Sequence, residues 1–165
     1  MQYYNVTAGR VAIISLAEQT ARFYENGKLV YWSYVTTGWP DHPSVPGYHV
    51  AMVRLSPTLF VSQAPPGSPE WYAPTPIHYA IEYHTGYTRS GGDYFLHDAW
   101  WRNQFGPYTN LPHHDPAAFN GGSLGCVNVP LATMQWIYPW ILSTRRSSCI
   151  SRSAPLSRTT PLHGA

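Results

Sequence analysis

Asn26-Gly27 is the tightest constraint on what this 165-residue chain can fold into. The pair separates Ala21-Arg22-Phe23-Tyr24 from Leu29-Val30-Tyr31-Trp32. Asn and Gly both accept the positive φ angles of a type I′ turn, whose twist matches that of two paired strands. A β-hairpin is therefore predicted, and the first part of the chain is committed to a sheet. Its neighbours agree. Residues 11–16 form a short apolar run of β type, 20–24 form a second, and 48–55 follow the turn-forming pair Pro46-Gly47. Residues 56–93 are rich in Pro, Gly, Ser and Tyr, with strand candidates near Phe60-Val61 and over 77–83. Tyr94-Phe95-Leu96 reads as a short apolar strand ending at His97.

Only one helix is predicted. Pro130 suits a first helical position, and Leu131, Met134, Tyr138 and Ile141 fall on one face at helical spacing. Pro139 lies inside that pattern and is expected to end or kink the helix. Residues 99–122 carry Asn, Pro, Gly and His without a sustained period. The expected fold is mainly β, a compact β-sandwich-like domain with one principal helix after a Gly-rich loop. Residues 1–142 are expected to form that domain.

Charge excludes some functions. All eight acids lie between Glu18 and Asp115. Up to Leu142 there are six basic residues against eight acidic ones, a net −2. The basicity of the whole chain thus belongs to its end, and the body lacks the electrostatic footprint of a nucleic-acid binder. Residues 143–165 hold nine Ser or Thr, four Arg and no acid. Such a stretch cannot bury enough apolar surface to offset its ordering, so it is expected to be a disordered tail without a strand. Met1-Gln2-Tyr3-Tyr4-Asn5 lacks the basic start and apolar stretch of a signal peptide. Of the seven Trp and thirteen Tyr, core packing accounts for most, and roughly one in three is expected to line a substrate cleft.

The stretch that carries chemistry is Gly121-Gly122-Ser123-Leu124-Gly125-Cys126-Val127-Asn128. A thiol nucleophile needs a base, room for a carbonyl, and donors for the oxyanion. Gly125 lets backbone approach a substrate, and amides around 124–126 would serve as donors. A loop running directly into a helix N-terminus would also favour the thiolate. A buried structural cysteine beside glycines fits the loop alone equally well. Phe95-Leu96-His97-Asp98-Ala99 supplies the second element, a histidine at the end of an apolar strand. An imidazole there can take the thiol proton and later protonate a leaving amine. A lone histidine would more often be a satisfied loop residue.

Taken together, His97 on its strand, a loop of about two dozen residues, and Ser-x-Gly-Cys-Val-Asn before a helix resemble the L,D-transpeptidase catalytic domain of YkuD type. Thr37-Gly38, the turn Pro43-Ser44-Val45-Pro46-Gly47 and the hairpin at Asn26-Gly27 extend the likeness, which covers residues 11–138. The resemblance implies that Cys126 is the nucleophile and His97 the general base. It makes Ser123 the hydroxyl of the motif, Gly125 the oxyanion-loop glycine and Asn128 the polar residue closing the signature. Asp98 follows the base, where the family supplies a backbone carbonyl to orient the imidazole. Leu124 stands where the family often has His and keeps only its amide for the site.

The implied activity is that of a cysteine acyltransferase of peptidoglycan. Cys126 would attack a tetrapeptide stem, expel the terminal D-alanine and pass the acyl group to an amine, forming a 3→3 cross-link. Stem peptides are the implied partners, carbapenem-type β-lactams the implied inhibitors, and the bacterial cell envelope the implied location. No cofactor is required. Tyr94, Trp100, Trp101 and His114 are the expected substrate contacts; Trp71 and Tyr72 bracket the same cleft with Trp100 and Trp101, and core packing fits each of these four equally well.

Rival readings are an L,D-carboxypeptidase, in which water accepts the acyl group, a sortase-like transpeptidase, and a catalytically silent wall-binding module. Sortases need a strand Arg soon after the Cys, whereas here the next is Arg145. Endopeptidases of NlpC/P60 type place Cys before His. His113-His114-Asp115 invites a metal, but adjacent histidines seldom face one ion and further ligands cannot be named. Cys149 in the tail is expected to be a free thiol and no partner for Cys126.

Overall fold

The computed structural model describes residues 8–86, 93–112, 121–142 and 147–152, the main chain alone at 142 and 147–152. Strands dominate, with a single helix among the described residues. The first sheet begins with β1 (Arg10–Ser15), β2 (Thr20–Glu25) and β3 (Lys28–Tyr34). Asn26 (φ 48°) and Gly27 (φ 79°) both take the positive φ predicted for the turn between β2 and β3. The Asn26 side chain also accepts a hydrogen bond from Gly9 N, so the turn fastens the entry into β1.

Residues 48–55, read from sequence as one strand, are divided between two sheets. β4 (Gly47–Val50) joins the first sheet and β5 (Arg54–Leu55) the second. The chain crosses between them at Met52 and Val53, which bond Glu82 through the main chain. Residues 77–83 divide likewise. β6 (Thr58–Phe60) and β7 (Thr75–Ile77) make a two-stranded ribbon, and β8 (Ala80–His84) enters the second sheet. There β8 pairs antiparallel with β9 (Tyr94–Asp98), which pairs parallel with β10 (Val127–Val129).

The helix α1 (Leu131–Leu142) follows β10. Pro130 stays just outside it, its carbonyl accepting the first bond from Met134 N. Pro139 neither ends nor limits the helix, which runs three residues beyond it. The carbonyl that loses its partner is Gln135, and both residues lie on the exposed side, where the carbonyl is open to solvent.

The end of the chain departs from expectation. Where sequence reading placed a tail without a strand, β11 (Ser147–Arg152) lies between β1, parallel, and β4, antiparallel. The first sheet thus runs β3-β2-β1-β11-β4. A strand flanked on both sides draws its support from ladder hydrogen bonds, which its polar, non-alternating sequence does not reveal. Arg145, Arg146 and residues 153–165 lie outside the described residues, as does the Cys149 side chain.

One core joins the layers. Ala12, Ile14, Ala21 and Phe23 come from the first sheet, Ile81, Tyr83 and Leu96 from the second, and Met134, Ile137 and Ile141 from α1. Tyr31 stacks on Trp136 at 4.6 Å and Trp136 on Trp140 at 5.4 Å, with Phe23 edge-on to Trp140. These rings press the helix against the first sheet and leave the far face of β9 and β10 for a cleft. No helix of the described residues is long and apolar enough to cross a membrane.

Candidate active site

The site is assembled by the parallel pair β9 and β10. Their register sets Val127 opposite Leu96 and Asn128 opposite His97. Side chains alternate along a strand, so Phe95 and His97 share a face, and Asn128 lies on that face beside His97. Phe95, His97, Cys126 and Asn128 all line one cleft. On the other side of β10, Thr36 and Asn128 exchange two main-chain bonds (2.9 and 2.8 Å). Ser123 is held in the same way, its amide on Thr37 O (3.0 Å) and its carbonyl on Trp39 N (3.2 Å).

The loop is also tied from within. Ser123 Oγ donates to the Cys126 carbonyl and accepts from Gly125 N (3.1 Å). Gly125 sits at φ +118°, a conformation side chains resist, so the turn before the cysteine requires glycine there. Its carbonyl accepts from Ser44 Oγ (2.7 Å) and from the Tyr83 hydroxyl (3.3 Å). Ser44 Oγ in turn accepts from Gly38 N (3.0 Å).

His97 is 5% exposed and is oriented from one side. Its Nδ1 lies 2.9 Å from the carbonyl oxygen of Asp98. A carbonyl only accepts, so Nδ1 carries the proton and the lone pair of neutral imidazole is on Nε2. Phe60 meets the ring edge-on at 5.0 Å, and Trp101 lies over it at 6.1 Å and 29°. Burial shifts the His97 pKa below the ordinary histidine value, with the Asp98 carbonyl and carboxylate opposing.

Cys126 differs from its expected state. It lies one residue before β10, so a strand and Pro130 separate it from the helix, and no helix terminus supports a thiolate. Its Sγ accepts from Phe95 N (3.5 Å) and donates to Asp93 O (3.9 Å), making its described contacts with main chain and not with the imidazole. Cys126 keeps partial exposure to the cleft. Even so, the dense surround of its sulfur pushes the thiol up to about 11, with the Asp93 carboxylate adding to the shift and the Phe95 amide opposing it. The resting pair is a neutral thiol beside a neutral imidazole.

The cleft encloses about 710 Å³. The structure brings Ser123, Leu124, Cys126, Asn128, His97, Trp100 and Trp101 to it, together with Trp71 and Tyr72. The Tyr72 phenol is pushed up to about 12, chiefly by burial and then by Cys126. Gly125 stays within the loop, and Asp98 stands behind His97, fully buried. Tyr94 is not among the cleft residues. Alternation along β9 turns it away, and its ring meets His84 at 5.5 Å and Tyr83 at 6.2 Å. His114, with His113 and Asp115, lies outside the described residues. No group of three His, Cys, Asp or Glu that could hold a metal occurs among the described residues.

Four supporting residues escaped sequence reading. Ser44 and Tyr83 fix Gly125 from a distance in sequence that no motif spans. Arg102 is buried and lines the cleft, its Nη1 donating to Gly121 O (2.7 Å) where the loop begins. Desolvation lowers it to about 10. His78 reaches the Asp98 carboxylate at 2.9 Å. Only Ser44 left a signal, as part of a Pro-flanked turn.

With this geometry in view, the chain can be set beside known proteins. The model of the YkuD family, the L,D-transpeptidase catalytic domain, matches residues 9–152. No curated protein sequence matches the chain. Among solved structures, the L,D-transpeptidase of Enterococcus faecium (C442S mutant) is similar at TM-score 0.64 and 15% identity, over 87% of this chain and 50% of that one. An L,D-transpeptidase from Mycobacterium smegmatis gives TM-score 0.65 and 17% identity, over 88% and 59%. L,D-transpeptidase 3 from Mycobacterium tuberculosis, with a faropenem-derived adduct, gives TM-score 0.61 and 16% identity, over 88% and 60%. The chain thus spans half to three-fifths of the length of these proteins.

Proposed function

The chain belongs to the family of L,D-transpeptidase catalytic domains, and we propose on that premise that it is a peptidoglycan L,D-transpeptidase. The observation that carries this reading is the shared cleft. Ser123, Leu124 and Cys126 of the loop and His97 of β9 line the same cavity, among exposed aromatic side chains.

The chemistry follows from the two pKa directions. Thiol and imidazole both rest neutral, so the thiolate forms as attack begins and His97 acts as a general base through Nε2. Cys126 Sγ bonds to the carbonyl carbon of the third stem residue while its proton passes to His97. The amides of Leu124 and Cys126, which have no described hydrogen bond within the loop, would receive the developing oxyanion, whereas Gly125 N is occupied by Ser123 Oγ. The imidazolium then protonates the departing D-alanine amine, leaving a thioester on Cys126. An amine of a neighbouring stem attacks that thioester and gives its proton to His97, and the thiol is restored. Asn128 and the Trp100–Trp101 wall border the path of the stem. Envelope location and β-lactam inhibition follow from the family.

Mass spectrometry after incubation with a carbapenem and with a tetrapeptide donor tests the reading. A covalent adduct on Cys126, loss of D-alanine and a cross-linked product with an added amine are expected. Release of free tripeptide alone would make the enzyme a carboxypeptidase. No adduct with either compound would overturn acyl transfer altogether.

A further inference from the structure

The residue that orients the base is itself gripped. Asp98 is completely buried, and its two carboxylate oxygens have separate donors. Oδ1 accepts from Tyr79 N at 2.7 Å, and Oδ2 lies 2.9 Å from His78 Nδ1. Its main chain is bonded too, Asp98 N donating to Tyr79 O at 3.2 Å. The Asp98 carbonyl is the acceptor for His97 Nδ1. His78, by contrast, has 53% of its side chain exposed and does not line the cleft.

We propose that His78 is a positioning residue for the catalytic step, acting through the Asp98 side chain on the carbonyl that fixes the His97 imidazole. The proposal rests on the acyl-transfer reading of Cys126 and His97 and extends it to a residue with no contact to substrate. A carboxylate removed from water must keep a donor on each oxygen or move to find one. Tyr79 N holds one oxygen whatever residue occupies position 78. Without His78 the other oxygen is bare, and the side chain must rotate to find a donor. That rotation pulls on the residue whose carbonyl receives His97 Nδ1–H. The imidazole then loses its single described hydrogen bond and with it the preference for leaving Nε2 free. A base displaced by a fraction of an ångström, or in the wrong tautomer, loses much of its rate advantage.

The test compares wild type, His78→Ala and His78→Asn in two measurements. The first is the rate of Cys126 acylation by imipenem, and the second is the ¹⁵N NMR signature of the His97 ring. His78→Ala is expected to slow acylation by on the order of tenfold and to move His97 from a single Nδ1–H tautomer toward a mixture. His78→Asn, whose side-chain amide can donate to Oδ2, is expected to recover most of the rate and the tautomer. Equal acylation rates and unchanged ring signals in His78→Ala would overturn the proposal, as would equal losses in Ala and Asn. If wild type itself is not acylated, the acyl-transfer reading fails, and the tautomer spectra still decide whether His78 sets the state of His97. Should His78→Ala not fold, His78→Asn and His78→Phe give the same contrast between a donor and none.

Discussion

The hydroxyl of Ser44 donates to the carbonyl of Gly125 at 2.7 Å, across 81 residues of sequence. Ser44 is 1% exposed and also accepts from Gly38 N. One small side chain thus couples the segment at Gly38 to the turn that presents Cys126. Replacing Ser44 with Ala leaves a buried amide and a buried carbonyl each short of a partner. Ser44→Ala should cost about 1–3 kcal/mol of stability and slow acylation of Cys126. Chemical denaturation and carbapenem acylation rates check the two effects. A variant as stable and as fast as wild type would mean that Tyr83 alone holds Gly125.

The raised thiol predicts how Cys126 meets a simple alkylating agent. With a pKa of about 11, only about one thiol in ten thousand is ionised at pH 7. Alkylation by iodoacetamide should therefore climb roughly tenfold per pH unit from 7 to 10, without a plateau. A plateau below pH 8 would reveal a preformed thiolate–imidazolium pair and reverse the order of proton transfer proposed here.

His97→Gln keeps the shape of the site and removes the proton carrier. Acylation should fall by on the order of 10²-fold or more. The same variant reads the linkage of folding to pH. The His97 pKa is lowered in the folded state, so near and below the unfolded value the unfolded chain binds the proton more readily. Stability contributed by keeping His97 neutral is present above about pH 6.5 and is lost as pH falls. His49, also lowered, acts in the same direction, and Glu82, raised, acts against both. Wild type should lose more melting temperature than His97→Gln between pH 7 and 5. Parallel losses in the two proteins would assign the effect to His49.

What the sequence disclosed was local. Asn26-Gly27 and the Ser123-x-Gly125-Cys126 turn each depend on backbone conformations that only a few residue types accept, so those residues announce them. Strand membership was harder to see, because residues 48–55 look alike on either side of the point where they change sheets. Val127-Asn128-Val129 is too short to separate from the helix that follows, and that hid the strand between the thiol and α1. His78 and Ser44 act through hydrogen bonds to partners distant in sequence, and no spacing rule reaches that far. Tyr94 was misplaced by one step of the β alternation, which is enough to move a side chain to the opposite face.

Gly38 is held by close approach. A Cβ there would meet the His42 carbonyl oxygen at 2.0 Å and Ser44 N at 2.8 Å, both main-chain atoms that cannot swing aside. Gly38→Ala should therefore displace the segment that pairs with Ser123, costing about 3 kcal/mol or more and disabling Cys126. Circular dichroism melts and acylation assays would show it. A variant within 1 °C of wild type would mean that the 36–44 segment yields more easily than its bonding implies.

β11 is the strand that sequence reading did not expect. It lies between β1 and β4, with Ala12 opposite Cys149 on one side and Cys149 opposite His49 on the other. Removing an edge strand would strip one row of hydrogen bonds, but removing β11 strips two and leaves β4 without a neighbour in its sheet. The family match reaches the same residue, Arg152, at which β11 ends. A chain cut after Leu142 should therefore lose its cooperative melt or aggregate. A chain cut after Arg152 should keep its melting temperature within a few degrees and its rate of acylation. The decisive comparison is between these two truncations under identical conditions. If the shorter one melts as sharply as the longer and its Cys126 reacts as fast, β11 contributes little, and the β3-β2-β1 ribbon stands without it.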